Sequence, residues 1–265
     1  MKKICYSLFN SEGTQNFEKL FYIRGMYWNC RMNSFVFPDW QTHLEISRDL
    51  YSEFQGLFDW LVANNNLSIS VNEENKPKRC EGMLRRMKPI FDQNVTHILC
   101  RDADALSSYR EALVVQKWLE SPKKCHAILD NRAHSGLMGG MVSFDCAWFR
   151  SCMEVNSWEQ MISGLDLSQH GSDQVWMNTK VLPRIKDDLL WSGGPLGEEI
   201  PDSYSQAPLP QVRPMLWESN LCSQFIGSPG MNEMETIRFF IRFEKEPSKF
   251  EAIEKQFPKL FWWWL

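Results

Sequence analysis

The sequence predicts an α/β domain with a mostly parallel central sheet flanked by helices. Two observations predict it. Short apolar or alternating runs of strand length recur at residues 3–9, 42–46, 67–71, 96–100 and 125–129. Between them lie segments with apolar residues at helical spacing, as at Leu50, Phe54, Leu57, Phe58 and Leu61. Strand and helix in alternation imply right-handed crossovers, and ligands of such sheets sit beyond the strand carboxyl ends.

Taken in order, residues 3–9 read as a buried first strand closed by the turn Asn10-Ser11-Glu12-Gly13. A helix is expected over 15–22, while 28–37 reads as a loop or strand stopped at Pro38. A second strand at 42–46 leads into a helix over 49–62, which Asn64-Asn65-Asn66 ends. The alternating run 67–71 is a strand, and 72–79 is a charged, proline-containing loop. Residues 81–90 form a short helix broken by Pro89, after which 96–100 is a compact strand running into Arg101-Asp102-Ala103-Asp104. Ser108 and Glu111 have capping-box spacing, and Leu113 and Leu119 carry that helix to the Ser121-Pro122 stop. Residues 125–129 are another strand, and 136–144 mix glycines with strand-like residues; glycine there admits a ligand close to the backbone. Ser172 is the expected N-cap of a short helix that Pro183 ends. The stretch 192–214, rich in Gly, Pro and Ser, is too long for a mere connector, and 232–243 is the last expected helix. The organisation expected is one domain over 1–265, with a core at about 1–190, a long loop at about 192–214 and a carboxyl-terminal helical segment at about 215–265.

Composition narrows the function classes. The chain of 265 residues is 43% hydrophobic, enough for a core, which excludes wholesale disorder. With 29 basic against 33 acidic residues, a net charge of -4 and no basic block, it does not read as a nucleic-acid binder. The amino-terminal apolar run is too short for a signal peptide and no run reaches spanning length, so a soluble, cytoplasmic protein is expected. Eight cysteines without a C-x-x-C pair suggest neither a zinc ribbon nor a thioredoxin-type site, and reduced, mostly buried thiols fit better. Twelve tryptophans offer either stacking surfaces for sugars and bases or large core fillers. The tail Phe261-Trp262-Trp263-Trp264-Leu265 is too short to cross a bilayer but suits packing on the domain, a partner or, peripherally, a membrane surface.

The chemistry concentrates at the acidic turn. Two carboxylates one residue apart at a strand end can face one cleft, and hard oxygens suit Mn2+ or Mg2+, with a diphosphate completing the shell. Such a cation offsets charge developing on a leaving diphosphate. The same pair admits a plain structural reading in which Asp102 pairs with Arg101 or caps the turn.

The block 100–106, preceded by Met83-Leu84-Arg85-Arg86-Met87-Lys88-Pro89-Ile90 and followed by Gly139-Gly140-Met141 and Gly171-Ser172-Asp173-Gln174, resembles GT-A glycosyltransferases, closest to little-characterised bacterial and viral members. The resemblance covers the middle third of the chain. It implies a Rossmann-related GT-A-like fold, a nucleotide-diphosphate sugar donor (a UDP-sugar among the candidates), a divalent metal at Asp-x-Asp and transfer to a hydroxyl of a glycan or other acceptor. By that resemblance Asp104 is the direct metal ligand and Asp102 touches ribose or metal. Phe9 and Asn10 hold the base, and Arg86 and Lys88 face the donor, although both also read as a solvated helix face. Gly139 and Gly140 let the backbone approach the donor sugar, or mark a plain tight strand end. Asp173, with Gln174 beside it, deprotonates the acceptor or orients the donor sugar; the competing reading is an acid placed for the helix dipole. Asp130 and His134 flank a turn from which they can reach donor or acceptor, though a lone loop histidine is more often a hydrogen-bonding residue. One departure is plain: several retaining relatives have a metal-binding histidine before a glycine near the carboxyl end, and here Gln224-Phe225-Ile226-Gly227 has none. Retaining or inverting outcome therefore stays open.

Two other classes compete. A haloacid-dehalogenase-type phosphatase also places Asp-x-Asp after a hydrophobic strand, with Lys186-Asp187-Asp188 as a superficial match to its later acidic motif. A non-catalytic nucleotide-sugar-binding protein would keep the fold without turnover.

Overall fold

The strand β1 (Lys2–Leu8) is buried on both faces, as central strands of parallel sheets are. The computed structural model describes residues 1–10, 16–74, 77–130, 135–169, 171–193, 205–206, 253 and 255–257. After β1 come α1 (Asn16–Val36), β2 (Gln41–Ser47), α2 (Arg48–Glu53), α3 (Gln55–Asn64), β3 (Leu67–Asn72), α4 (Arg79–Leu84) and a 3-10 turn Arg85–Phe91. Then follow β4 (His97–Arg101), α5 (Tyr109–Glu120), β5 (Cys125–Leu129), β6 (Met141–Asp145), α6 (Cys146–Met153), α7 (Trp158–Ile162) and α8 (Ser172–Trp176). A π-helical turn, Met177–Val181, joins α8 to α9 (Leu182–Ile185), and β7 (Leu189–Gly193) and β8 (Ser205–Gln206) complete the described elements.

The sheet order is β3-β2-β1-β4-β6-β5-β7-β8, and β6 alone runs antiparallel to its neighbours β4 and β5. The predicted α/β class with a mostly parallel sheet is what the chain adopts. Two apolar cores cover the two faces. One gathers α1, α2, α3 and Trp118 of α5 against Tyr6, Leu44 and Leu99, the other α4, α6 and α8 against Cys5, Cys100 and Phe144. Among the described residues no helix is long and apolar enough to cross a membrane. The seven described cysteines are free and six are buried; burial pushes the Cys100 thiol up to about 12, which makes it inert rather than reactive.

Strands at 2–8, 41–47, 67–72, 97–101 and 125–129 and the Ser108-capped helix α5 lie where the pattern placed them, Ser108 Oγ accepting the Glu111 N–H at 3.2 Å. Five local expectations are corrected. Residues 28–36 are not a loop or strand but the second half of α1. That half is buried on nearly all sides, with Asn29, Arg31 and Asn33 inside, so no polar face marked it as helical. The helix expected over 49–62 is two helices, broken at Phe54. Gly171 caps α8 in place of Ser172; its φ of 81° suits glycine, and Ser172 Oγ has no hydrogen-bond partner among the described residues. Pro183 does not end a helix but opens α9, where a missing N–H costs nothing. Within the stretch expected as a long loop, Ser192 and Gly193 belong to β7, and Ser205–Gln206 pairs in parallel with Leu190 and Trp191. The rest of that stretch, the expected helix at 232–243, Gln224 to Gly227 and the tail from Phe261 lie outside the described residues.

Beneath α5 the His126 ring is fully buried, stacks on Trp118 at 5.8 Å and has Nε2 2.8 Å from Ser192 Oγ. Burial first, then the nearby Arg101 charge, push the imidazole down to about 3. A depressed histidine contributes stability that is present above its unfolded value and lost as pH falls toward 3. With an unfolded value near 6.5, about 2 kcal/mol is lost between pH 7 and pH 5 from this group. Urea unfolding at the two pH values should show a loss in the parent chain that His126→Asn largely removes. An equal loss in both would assign the acid sensitivity elsewhere.

Candidate active site

Topology gathers most of the predicted residues before any side chain is considered. β1, β2, β4 and β5 run parallel, so Phe9 and Asn10 after β1, Asp102 and Asp104 after β4 and Asp130 after β5 share one edge of the sheet. Because β6 is antiparallel, its start joins them: Met141 pairs with Arg101, which sets Gly139 and Gly140 beside the acidic turn. The chain builds β2 and β3 to one side of β1 and β4 to the other. At that reversal β1 pairs with β2 out to Leu8 but with β4 only to Cys5, so the strands part at the topological position where sheets of this kind form their ligand crevice.

Asp102 does not pair with Arg101, whose guanidinium forms a buried ion pair with Glu111 of α5. Its partner is Arg86 from the 3-10 turn: Nη1 donates to Asp102 Oδ1 and, at 3.1 Å, to the Arg101 carbonyl, while Nε donates to the Met83 carbonyl at 2.8 Å. The Arg86 side chain is 4% exposed against 45% for Asp102, so the pair is a buried strut beneath an open carboxylate. Burial works against the Arg86 charge, but Asp102, Cys100 and Asp173 raise its pKa. The second Asp102 oxygen lies under Gly140, where an added Cβ would stand 2.0 Å from Oδ2. Any side chain at 140 would displace the carboxylate, a packing reason for the glycine.

Asp104 is half-buried, and among the described residues no side chain donates to it. Burial first, then the Asp102 charge, push its carboxyl up to about 6. Among the described residues Asp102 thus touches a cation directly, whereas Asp104 is helped only by a backbone hydrogen bond and the more distant Arg86 charge, which burial outweighs.

Two asparagines that the sequence reading passed over hold the surrounding backbone. Asn29 of α1, fully buried, donates from Nδ2 to the Ala103 and Ala105 carbonyls at 3.1 and 3.0 Å, and its Oδ1 accepts the Ser107 N–H at 3.2 Å. Asn178, in the π-helical turn, bonds the Leu137 N–H at 2.8 Å and the Leu137 carbonyl at 3.1 Å, fixing the approach to the glycine turn. Gly136 has a φ of 59°, and a Cβ there would meet Asn178 Oδ1 at 2.1 Å.

The remaining candidates fall into three groups. Asp173 is 2% exposed, and the position of a Cβ on Gly139 is 3.5 Å from both its Oδ2 and Arg86 Nη2, so Asp173, Arg86 and the glycine turn meet. The neighbouring Gln174 is half-buried and its carbonyl accepts from Asn178 at 2.8 Å. Phe9 and Asn10 are half-buried at the crevice; the Phe9 ring packs where Gly82 lacks a side chain, and Asn10 Nδ2 donates to Asp49 Oδ2 at 2.6 Å. Lys88 is not brought to the acidic turn. Its Nζ bonds Asn72 Oδ1, stands 3.9 Å from Glu45 and lies 5.5 Å above the Trp158 ring, at the end of β3. Three strand spacings, on the order of 14 Å, separate β3 from β4. Asp130 is buried and bonded by Arg110, with Nη2 to Oδ1 at 2.7 Å. His134 lies outside the described residues.

The acidic run Lys186–Asp188 precedes β7, which is parallel to β5, so it lies at the amino edge of the sheet, opposite Asp102. That placement separates the two acidic motifs a phosphatase of the competing type would need together.

A divalent cation fits the donor chemistry of the acidic pair. Asp104 carries a carboxyl that burial raises and whose ionisation a nearby positive charge would favour, and Asp102 presents a half-exposed carboxylate on a fixed base. Among the described residues no group of three or more His, Cys, Asp or Glu converges, so remaining positions of such a shell would fall to phosphate and water.

No family model matches the chain, and no curated protein matches it. Among solved structures it is similar to 4-diphosphocytidyl-2C-methyl-D-erythritol synthase from Anaerococcus prevotii, at 11% identity and a TM-score of 0.45 over 74% of this chain and 86% of that one. A cytidylyltransferase from Leptospira borgpetersenii matches at 10% identity and a TM-score of 0.46, over 98% of this chain and 94% of that one. A mannosyltransferase from Pyrobaculum calidifontis, solved with GDP-Man and Mn2+, matches at 11% identity and a TM-score of 0.45; the match spans 80% of this chain and 55% of that enzyme.

Proposed function

We propose that the chain is a metal-dependent glycosyltransferase that moves a sugar from a nucleotide-diphosphate donor to an acceptor hydroxyl. The observation that carries this reading is the acidic turn itself: a half-exposed carboxylate braced by a buried arginine, beside a second whose pKa burial raises, at the position where the sheet reverses direction. When bound, Mn2+ or Mg2+ would supply Lewis-acid stabilisation for charge gathering on the departing diphosphate.

The chain's own groups do the rest. Arg86 holds Asp102 in one orientation with Nη1 and Nε, which bond Asp102 and the Arg101 and Met83 carbonyls, and acts on the donor through that carboxylate. Asp104, with Asp102, would hold the cation through its carboxylate. Phe9 and Asn10 lie where a base would enter the crevice, and the Gly139-Gly140 turn lets the donor sugar reach the backbone. Burial of Asp173 behind that turn and beside Arg86 favours orientation of the donor sugar over proton abstraction from an acceptor in the open cleft.

A panel of nucleotide sugars, read by nucleoside diphosphate release with and without Mn2+, tests the reading. Mn2+-dependent release from at least one donor, increased by an acceptor, is expected. Phosphate release from small phosphomonoesters without donor consumption would replace it with phosphatase chemistry, and metal-assisted nucleotide binding without turnover on a broad acceptor panel would replace it with a binding role.

A further inference from the structure

The turn that carries the two carboxylates is weakly self-supported. β4 leaves the ladder at Arg101, and among the described residues the backbone bond within the turn is the Ala105 N–H to the Asp102 carbonyl at 3.2 Å. The carbonyls of Ala103 and Ala105 and the N–H of Ser107 are instead satisfied by one buried side-chain amide, that of Asn29. One helical turn earlier on the same face of α1, Gly25 lies so close that an added Cβ would stand 2.0 Å from the Ala103 carbonyl oxygen and 3.2 Å from the Asp104 Cα. The residue bearing the carboxyl that burial raises therefore rests directly on α1.

Resting on the reading above, we propose that the Gly25/Asn29 face of α1 is a template for the acidic turn, and that Asn29 is a positioning residue for divalent-cation binding by Asp102 and Asp104. Gly25 blocks movement of the turn toward the helix only by the closeness of its backbone, and the three Asn29 bonds block movement away. The direction of each Asp side chain follows from where its Cα is held, so a few tenths of an ångström at Ala103 are transmitted to both carboxylates. An apolar residue at 29 would fill the space but leave three backbone groups without their bonds.

A matched control lies on the same helix. Asn33, 2% exposed, donates to Tyr6 Oη at 3.2 Å and Thr42 Oγ1 at 3.0 Å; it does not bond the Ala103 or Ala105 carbonyls and is linked to the turn only through the Tyr6 hydroxyl, which also faces the Ser107 side chain. In the full chain, Asn29→Leu, Gly25→Ala and Asn33→Leu are compared by Mn2+ affinity, measured by electron paramagnetic resonance of the free ion, by thermal midpoint and by amide exchange at Ser107. Asn29→Leu and Gly25→Ala should each weaken Mn2+ binding by about tenfold or more, as loss of the partners behind metal ligands does. Asn29→Leu should also speed exchange at Ser107. Asn33→Leu should lower the midpoint and leave Mn2+ affinity unchanged. Should Asn29→Leu or Gly25→Ala fail to fold, Asn29→Ala, which removes the same three bonds and adds no atoms at the turn, carries the comparison. Parent-like Mn2+ affinity in Asn29→Leu and Gly25→Ala, or an equal loss in Asn33→Leu, overturns the template while the metal reading stands. A parent chain that binds no Mn2+ overturns the metal reading itself, and the positioning role falls with it.

Discussion

Asp104→Asn should remove Mn2+-dependent donor turnover while making the folded chain more stable at pH 8. The loss is expected at about 100- to 1,000-fold or more, the range for deleting one group that stabilises developing charge or its metal. The stability gain has the opposite sign for a physical reason. Burial and then Asp102 push the Asp104 carboxyl up to about 6, so its protonated form is the one the fold prefers. A carboxyl raised above its unfolded value, near 3.9, contributes stability that is complete below that value and is lost as pH rises through 6. At pH 8 the ionised side chain costs on the order of 1 to 2 kcal/mol once partial exposure is allowed for, and asparagine avoids that cost. Thermal midpoints of parent and variant should coincide near pH 4 and separate between pH 5 and 7, the variant melting higher. Full turnover in the variant, or a parent that is the more stable at pH 8, would remove Asp104 from the site. A residue that destabilises its own fold where its charge is needed is the pattern expected of a functional group rather than a packed one.

The parts of this site that were legible in the sequence are those whose signal is local. Strand runs with abrupt turns, the Ser108 cap and the Asp-x-Asp spacing survive without knowledge of neighbours, because strand length, side-chain alternation and a capping bond span only a few residues. What failed was set by contacts distant in sequence. The second half of α1 has no polar face because its polar residues point inward: Asn29 to a turn 74 residues on, Asn33 to β1 and β2. The same burial concealed both the helix and its part in the site. A Gly-x-x-x-Asn pair inside an otherwise bulky run was the available hint, small where a backbone comes close and polar where orphaned carbonyls need donors. Arg86 and Lys88 show the limit from the other side. Two residues apart and alike in charge, they diverge because the intervening 3-10 turn sends one beneath β4 and the other to the end of β3, and no sequence spacing separates those outcomes.

Arg86→Met is expected to be the most damaging change to the fold around the site. It leaves the Asp102 carboxylate, and Asp173 behind it, without the cation whose pKa they raise, and leaves the Met83 and Arg101 carbonyls without their donor. Breaking a buried pair from one side costs about 3 to 5 kcal/mol; because Asp102 keeps contact with water, about 2 to 3 kcal/mol is expected here. Pairing the change with Asp102→Asn separates the strut from a role in phosphate binding. If Arg86 serves the site by bracing Asp102, the double variant should lose less stability than the two single losses together, by on the order of 1 kcal/mol or more, and Mn2+ affinity should already be lost in Arg86→Met. Arg86→Lys keeps the charge but not the forked geometry that reaches two carbonyls and a carboxylate at once, so it should recover little of either property. Additive stabilities, together with metal-free nucleoside diphosphate affinity that falls in Arg86→Met and returns in Arg86→Lys, would instead make the guanidinium a direct diphosphate ligand. The two roles differ in where the positive charge must stand: a strut needs it behind the carboxylate, out of water, and a phosphate ligand needs it in the open crevice. At 4% exposure the side chain satisfies the first requirement and not the second.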